Sequence, residues 1–338
     1  MKAFGKVLGL FFLGLLLLVV ALGFALTHLF DPNDYKDEIR QIARDKANLE
    51  LDLKGDIGWS LFPWLGLELH DTSIASAATP TKPFADLQML GLSVRVLPLL
   101  RKDVQMSAIR VEGLSLDLVR DKQGKGNWEN IGKPAPPQAP AAPSATPPAA
   151  DGKGAQAQAP EQAPQNDSPR TPIKLDIDSL NVNNARVTYT DEASGKQYNV
   201  EGIELSTGAI REGSSIPLKL NAYLGTNQPV VRVKTELTGN LRFDTALRRY
   251  QLEDARLSGE ASGEPLQGKT ATFSAQGQLL LDQSAQIAEW NGLKLSVNQL
   301  RALGELKARE LDKDTKFSGG LSIAPMNLRE FLAGIGVT

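Results

Sequence analysis

The residues of this 338-residue chain that could do chemistry are few and poorly grouped. There is no cysteine, which excludes disulfides, thiolate zinc sites, iron–sulfur clusters and Cys nucleophiles. A Ser-His-Asp triad or a His-ligated metal would have to use His28 or His70, the two histidines present. His28 falls at the end of an apolar run, where an interfacial polar residue is the default and no second ionisable partner makes a proton relay. His70 occupies the polar phase of an alternating segment and reads as solvent-facing. Paired carboxylates suited to general acid/base work occur at Asp176/Asp178, Asp191/Glu192 and Asp312/Asp314. All three pairs stand beside strand and turn residues, where solvated faces account for them. Asp312-Lys-Asp-Thr lacks the Gly and terminal Glu of an EF-hand loop. No GxxxxGK[ST], GxSxG or HExxH occurs, and Gly319-Gly320 lacks the strand–helix setting of a phosphate cradle. The net charge of −2, from 37 Lys+Arg against 39 Asp+Glu, supplies no cationic surplus for nucleic acid. The residues point to no enzyme, no metal, no cofactor and no nucleic-acid partner.

The elements around these residues are more informative. Residues 7–30 form 24 residues without a formal charge. As a helix they would cover roughly 36 Å, enough for a hydrocarbon core of roughly 30 Å. Lys2 and Lys6 precede this run and Asp31 and Asp34 follow it, so the positive-inside rule leaves residues 1–6 cytoplasmic. A cleaved signal peptide would have a shorter apolar region and a better cleavage site than Gly23-Phe24-Ala25, so an uncleaved transmembrane anchor is expected.

Beyond the anchor, Asp31 is placed as an N-cap, Pro32 as the first helical residue and Asp34 three residues after the cap. Tyr35, Ile39, Ile42 and Ala43 share one face of the amphipathic helix that follows, which either lies on the bilayer or closes the end of the next element. From Leu49 the period becomes two: Leu49, Leu51 and Leu53 alternate with Glu50, Asp52 and Lys54. Further alternating runs begin near Leu67, Leu90, Ile109, Ile173, Leu180, Ile203, Leu218, Val231, Leu279 and Leu293, with turn signals between them. Three of these runs share a pattern. After Leu67-Glu-Leu, Ile109-Arg-Val and Leu180-Asn-Val the apolar phase slips by one at an Asp, Gly or Asn. One inserted residue is what a β-bulge needs to keep the same face apolar while bending the strand, so a curved sheet is expected. Alternation alone fits a closed β-sandwich equally well.

Residues 133–172 break the pattern. They hold eleven of the chain's 20 prolines and eleven alanines. Such a composition cannot bury enough apolar surface to offset its ordering entropy, which predicts a disordered surface insertion. The chain thus divides into a cytoplasmic tip (1–6), an anchor (7–30), a first β-rich part (31–132), the insertion (133–172) and a second β-rich part (173–338).

Several stretches resemble the AsmA family of Gram-negative envelope proteins. They are Asp31-Pro-Asn-Asp-Tyr, the stretch Leu53-Lys-Gly-Asp-Ile-Gly-Trp-Ser-Leu-Phe-Pro-Trp-Leu-Gly-Leu-Glu-Leu, Val96-Leu-Pro-Leu-Leu, Gly124-Lys-Gly-Asn-Trp-Glu-Asn, and Phe317-Ser-Gly-Gly-Leu-Ser-Ile-Ala-Pro-Met-Asn-Leu-Arg-Glu-Phe-Leu. The resemblance implies an inner-membrane anchor and a periplasmic body related to bridge-like lipid transfer proteins. Their body is a chorein-like (β-taco) elongated antiparallel groove lined with apolar side chains. It further implies phospholipid transport between inner and outer membranes and a part in outer-membrane integrity. Two departures stand out. Ala47-Asn48 replaces a Thr-Gly pair after the first helix, and the chain stops soon after the late motif, as an N-terminal portion or a short paralogue would.

The expected lining of the groove is Leu67, Leu69, Ile74, Ile109, Val111, Leu114, Leu116, Leu118, Leu180 and Val182. Trp59, Phe62 and Trp64 would stand near the membrane end. The expected partners are phospholipids, the inner membrane and envelope proteins. The alternative is an anchored scaffold that assists outer-membrane protein assembly without carrying lipid, with the insertion as its docking segment.

Overall fold

The structure, a computed structural model, describes residues 31–60, 65–95, 106–129, 131, 176–311 and 314–336. The expected anchor and cytoplasmic tip, His28, Phe62, Trp64, Val96-Leu-Pro-Leu-Leu, Asp312 and the insertion lie outside the described residues. Among the described residues no helix is long and apolar enough to cross a membrane.

The chain begins with a 3₁₀ turn, Pro32–Tyr35, and helix α1, Lys36–Ala47. Asp31 caps it as expected, its carboxylate accepting from Asn33 N at 2.8 Å, which holds its pKa below the ordinary value. Asn48 ends the helix in the left-handed region (φ 55°), its N–H reaching Ala43 O and Arg44 O. Asparagine tolerates this conformation better than other non-glycine residues, so the departure at Ala47-Asn48 leaves the turn intact. The helix packs on the first strand, where Arg44 binds Glu50 through Nε and Nη2. Asn33 adds a clamp: its Oδ1 accepts from Ile57 N at 2.9 Å and its Nδ2 donates to Ile57 O at 3.2 Å. The expected single apolar face is divided, with Ile39 and Ala43 half-buried while Tyr35 and Ile42 are exposed.

Strands make up most of the rest. The first group is β1 (Leu49–Leu53), β2 (Ile57–Ser60), β3 (Leu65–Ser76), β4 (Pro83–Val94), β5 (Met106–Glu112) and β6 (Ser115–Arg120). After the insertion come β7 (Asp176–Ile177), β8 (Ser179–Asp191), β9 (Lys196–Thr207), β10 (Ile210–Arg211), β11 (Ile216–Asn227) and β12 (Val230–Asp244). The chain continues through β13 (Arg249–Gly263), β14 (Thr270–Asp282), β15 (Ile287–Val297), β16 (Leu300–Arg309), β17 (Lys316–Ile323) and a short helix α2 (Leu328–Gly334).

One sheet takes in every strand except the β7–β10 pair, in the order β1-β3-β4-β5-β8-β9-β11-β12-β13-β14-β15-β16-β17, with β2 on β3 and β6 between β4 and β8. Neighbours are antiparallel except that β5 and β6 both run parallel to β8. The expectation of an antiparallel sheet is thereby corrected to a mixed one. A parallel pair needs a crossover connection, and residues between β6 and β8 provide the length for it. No second large sheet packs on this one among the described residues, so the closed sandwich is not what these strands build.

The expected phase slips are present, and beside Asn184 the β8–β9 pairing shifts register as a bulge does; across Asp71 and Gly113 the β3–β4 and β5/β6–β8 pairings keep their register. Asp71, Gly113 and Asn184 have φ of 46°, 62° and 50°, each marking the residue where the apolar phase slips.

Candidate functional site

Register across the sheet builds the candidate site. Ile57 pairs with Leu69, Leu69 with Leu90, Leu90 with Val111, Val111 with Val182, and Val182 with Leu205. The row continues through Leu220, Leu237, Leu257, Ala275, Leu295, Ala302 and Ile323. Directly opposed residues share a face, so an unbroken aliphatic row runs from β2 through β3, β4, β5, β8, β9 and β11 to β17 in sheet order, about 58 Å at the usual strand spacing.

Parallel rows flank it. On one side run Leu51, Ile74, Ala85, Leu116, Val187, Val200, Leu224, Val233, Ala261 and Ala271. On the other, Trp59, Leu67, Leu92, Ile109 and Leu180 line up across β2 to β8. Ile216, Leu241, Leu252, Leu279, Trp290 and Leu306 do so across β11 to β16. The opposite face is polar: on β12, Val231, Val233, Leu237 and Leu241 alternate with Arg232, Lys234, Glu236 and Arg242.

The apolar face is not filled by other described elements. Leu224 is 40%, Leu306 44%, Ile323 55% and Phe317 82% exposed. Its fully buried members are mostly small, among them Ala185, Ala222, Ala255, Ala275 and Ala302. A continuous exposed apolar surface of this extent marks a binding face. Toward β17 it deepens into a hollow of about 810 Å³ lined by Leu241, Tyr250, Leu252, Leu279, Trp290 and Leu306 among others. Gly277 makes room for the indole of Trp290: a Cβ there would stand 2.8 Å from Trp290 Nε1. That Nε1 is buried without a hydrogen-bond partner.

Of the expected lining residues, Leu69, Val111 and Val182 stand in the long row, Leu67, Ile109 and Leu180 in one flanking row, and Ile74 and Leu116 in the other. Leu118 pairs with Tyr189 and Tyr189 with Tyr198, one step further out. Leu114 is in none of the rows; it borders a polar cavity of about 600 Å³ on the other face, with Lys54, Asp86 and Arg186. There Lys54 Nζ donates to Ser73 Oγ at 2.9 Å, Ser73 Oγ donates to Asp86 at 2.6 Å, and Arg186 reaches Ser115 Oγ at 3.0 Å.

The lining contributed by β9 to β17 was absent from the expected set. Its signal is the same slipped alternation, in Val200-Glu-Gly-Ile-Glu-Leu, Leu252-Glu-Asp-Ala-Arg-Leu and Trp290-Asn-Gly-Leu-Lys-Leu. Gly202, Asp254 and Gly292 have φ of 56°, 49° and 59°, and the pairing shifts register at each of them, as at a bulge.

Two of the acid pairs, Asp176/Asp178 and Asp191/Glu192, include carboxylates with structural partners. Asp176 and Asp178 are not merely solvated: Arg211 binds both, at 2.8 and 3.3 Å, and Arg95 binds Asp178 by a bond that raises the arginine's pKa. Asp191 accepts from Ser194 Oγ and Ala193 N, which lowers its pKa and marks it as a turn cap. His70 is 44% exposed at its side chain, on the strand as expected, 3.7 Å from Glu68. Among the described residues no cluster of three His, Cys, Asp or Glu is arranged to hold a metal ion.

The face is thus suited to long aliphatic partners, and the polar groups near it serve turns and ion pairs. No curated protein and no solved structure matches the chain. A family model described as the AsmA family matches residues 1–338, its whole length. The chain belongs to the AsmA family.

Proposed function

We propose that this is a non-enzymatic, inner-membrane-anchored periplasmic protein that holds phospholipid acyl chains on its apolar face. It thereby supports phospholipid transport between inner and outer membranes and outer-membrane integrity. The observation that carries this reading is the aliphatic row from Ile57 to Ile323, continuous through every strand it crosses, with Leu69, Val111, Val182, Leu220 and Leu257 only half-buried. Each buried methylene is worth about 0.8 kcal/mol, so a sixteen-carbon chain on such a surface gains on the order of 10 kcal/mol. That is comparable with what the same chain loses on leaving a bilayer, which makes transfer along the row nearly neutral. Family membership is consistent with an envelope or lipid-related role. The Asn33 clamp supports the geometry, because it holds Ile57, the first residue of the row, three residues beyond the apolar run that ends at Phe30.

A photo-crosslinking amino acid placed in intact cells at Val182, Leu220 or Leu257 tests this reading against Lys219, Glu236 or Arg256 on the polar face. Phospholipid captured at the first three and not at the second three is the expected result. Capture at neither set refutes the proposal.

A second reading, the scaffold for outer-membrane protein assembly, draws on β17. Every residue of that strand is exposed and its outer edge is unpaired among the described residues, as a strand-docking site requires. Protein adducts at β17 together with no lipid at the row would favour it.

A further inference from the structure

The two edges of the sheet are treated differently. At the β1–β2 edge, α1 packs against β1, and Asn33 takes both backbone groups of Ile57, accepting from its N–H and donating to its carbonyl. The β17 edge has no such cover among the described residues. The chain leaves β17 through Ala324 and turns back over the rim of the sheet, where Lys269 Nζ donates to Ala333 O and a Cβ on Gly334 would stand 3.7 Å from Asn298 Nδ2. Strand β17 contains no proline and no register shift, and its one charged residue is Lys316 at its start. An edge without these protections is a template for pairing with another strand.

Which strand fits it follows from the backbone. Ala324 N donates to Arg301 O at 2.9 Å, and the two residues stand opposite each other when the β16–β17 register is continued by one. Even-numbered residues of β17 therefore bond to β16, and the N–H and C=O groups of Phe317, Gly319, Leu321 and Ile323 point outward. The glycines agree: a Cβ on Gly319 would run into Glu305 O on β16, while a Cβ on Gly320 would meet nothing within 4 Å.

The four outward residues belong to the apolar face, so an added strand continues that face only if the residues opposite them are apolar or small. Strand β17 itself meets this condition. Reversed about Gly320, it places Phe317 opposite Ile323 and Gly319 opposite Leu321, pairing ring with branched chain and glycine with leucine. On the polar face Ser318 stands opposite Ser322 and Lys316 opposite Ala324, so no like charges meet.

We propose that β17 is a homotypic docking edge, at which a second copy of this chain pairs antiparallel through its own β17 about a two-fold axis at Gly320. The interface is isologous and occupies the open edge of both copies, and the opposite edge is covered, so assembly stops at two. About eight backbone hydrogen bonds form across the seam. A two-fold axis normal to the sheet leaves both apolar faces on the same side, so the two aliphatic rows join into one surface. Phe317, Gly319 and Leu321 line the hollow of about 810 Å³, and the second copy walls its outer side. The inference concerns the edge alone and holds whether or not the face carries lipid.

The absence of cysteine allows a direct test in the full-length protein in membranes. Gly320→Cys puts two thiols opposite each other in a non-hydrogen-bonded pair, with Cα atoms about 4.5 Å apart, within reach of a disulfide. Its added Cβ meets nothing in the protomer, so this variant folds. Ser318→Cys and Ser322→Cys, likewise exposed, leave each thiol about 14 Å along the seam from its counterpart, beyond that reach. With copper phenanthroline as oxidant, the Gly320→Cys chain should form a covalent dimer at least about tenfold faster than either serine variant. Adding Leu321→Pro should abolish the difference, because the N–H it removes faces outward and the protomer keeps its ladder. Equal rates at the three positions, or a Gly320→Cys dimer indifferent to Leu321→Pro, overturn the proposal. Failure of Gly320→Cys to dimerise overturns it as well and leaves the edge to a strand of another protein.

Discussion

The sheet has two regions that share one aliphatic row and differ in where along the strands the apolar phase slips. From β3 to β9 the positive-φ residues Asp71, Gly113, Asn184 and Gly202, where the apolar phase slips, fall between the long row and the Leu116–Val187–Val200 row. From β13 to β15 the bulged residues Asp254 and Gly292, with Gly277 (φ 148°) between them, fall on the opposite side of the long row, next to Leu252, Leu279 and Trp290. Along its line of slipped residues the first region carries a polar-face cavity of about 600 Å³ beside Lys54 and Arg186, and the second carries one of about 500 Å³ beside Arg256 and Lys294. The second region adds the roughly 810 Å³ hollow on the apolar face, beside Leu252, Leu279 and Trp290. The line of slips thus moves by a few positions along each strand between the two regions and opens a polar cavity in both, while the aliphatic row itself stays continuous, because an inserted residue leaves the residues on either side of it on the same face.

The largest expected effect falls on the first region. Deleting residues 133–172 outright leaves only four residues, 132 and 173–175, to span about 40 Å, where the chain reaches at most about 3.5 Å per residue. The β6–β8 pairing should be lost and cooperative melting of the β2–β9 region with it. A 40-residue Gly/Ser replacement of the same segment should restore the melt followed by circular dichroism. Full stability of the outright deletion would contradict the parallel pairing.

Next come core truncations. Ile216 is 1% exposed, and Ile216→Ala should cost about 2–5 kcal/mol in denaturant unfolding. Leu257, half-buried in the long row, should cost about 1–2 kcal/mol as Leu257→Ala, because part of its side chain already meets solvent. Similar values for the two would mean that the row is covered.

A smaller, regional effect is expected from Ala308→Trp, which fills the hollow. Phospholipid capture at Leu257 should fall while capture at Val182 in the first region is unchanged. An equal fall at both positions would show that the two regions do not act separately.

The smallest effect concerns Asp282 at the end of β14. Its carboxylate accepts from Ala285 N and Arg249, and its pKa is held below the ordinary aspartate value of 3.8. A depressed folded pKa contributes stability that is present above the unfolded value and lost as pH falls through the folded one. Asp282→Asn should therefore lower the melting temperature slightly at neutral pH, and the gap to the parent protein should close below about pH 4. A gap that persists in acid would assign the loss to packing instead.

Much of this architecture is local and could be read along the chain. The alternation from Leu49 onward, the cap at Asp31 and the phase slips at Asp71, Gly113 and Asn184 each depend on a few neighbouring residues. So does the polar setting of His70. The period of two follows from the pleat, and an αL residue is marked by Gly, Asn or Asp because those types tolerate it. The same local signal stood at Gly202, Asp254 and Gly292, so the second half of the lining was legible by the rule that found the first half.

Leu114 shows the limit of such reading: it is apolar and in phase, yet it follows Gly113 into the break between β5 and β6 and borders the polar cavity. The composition and alternation of the chain by themselves determined a β-rich body with one aliphatic face and no grouped catalytic side chains. Only the tertiary structure decided that Val111 meets Val182, that Asp176 and Asp178 meet Arg95 and Arg211, and that β6 and β8 run parallel. These pairings join residues far apart in the chain. Their register is selected by the simultaneous fit of all the rows, which no single strand contains.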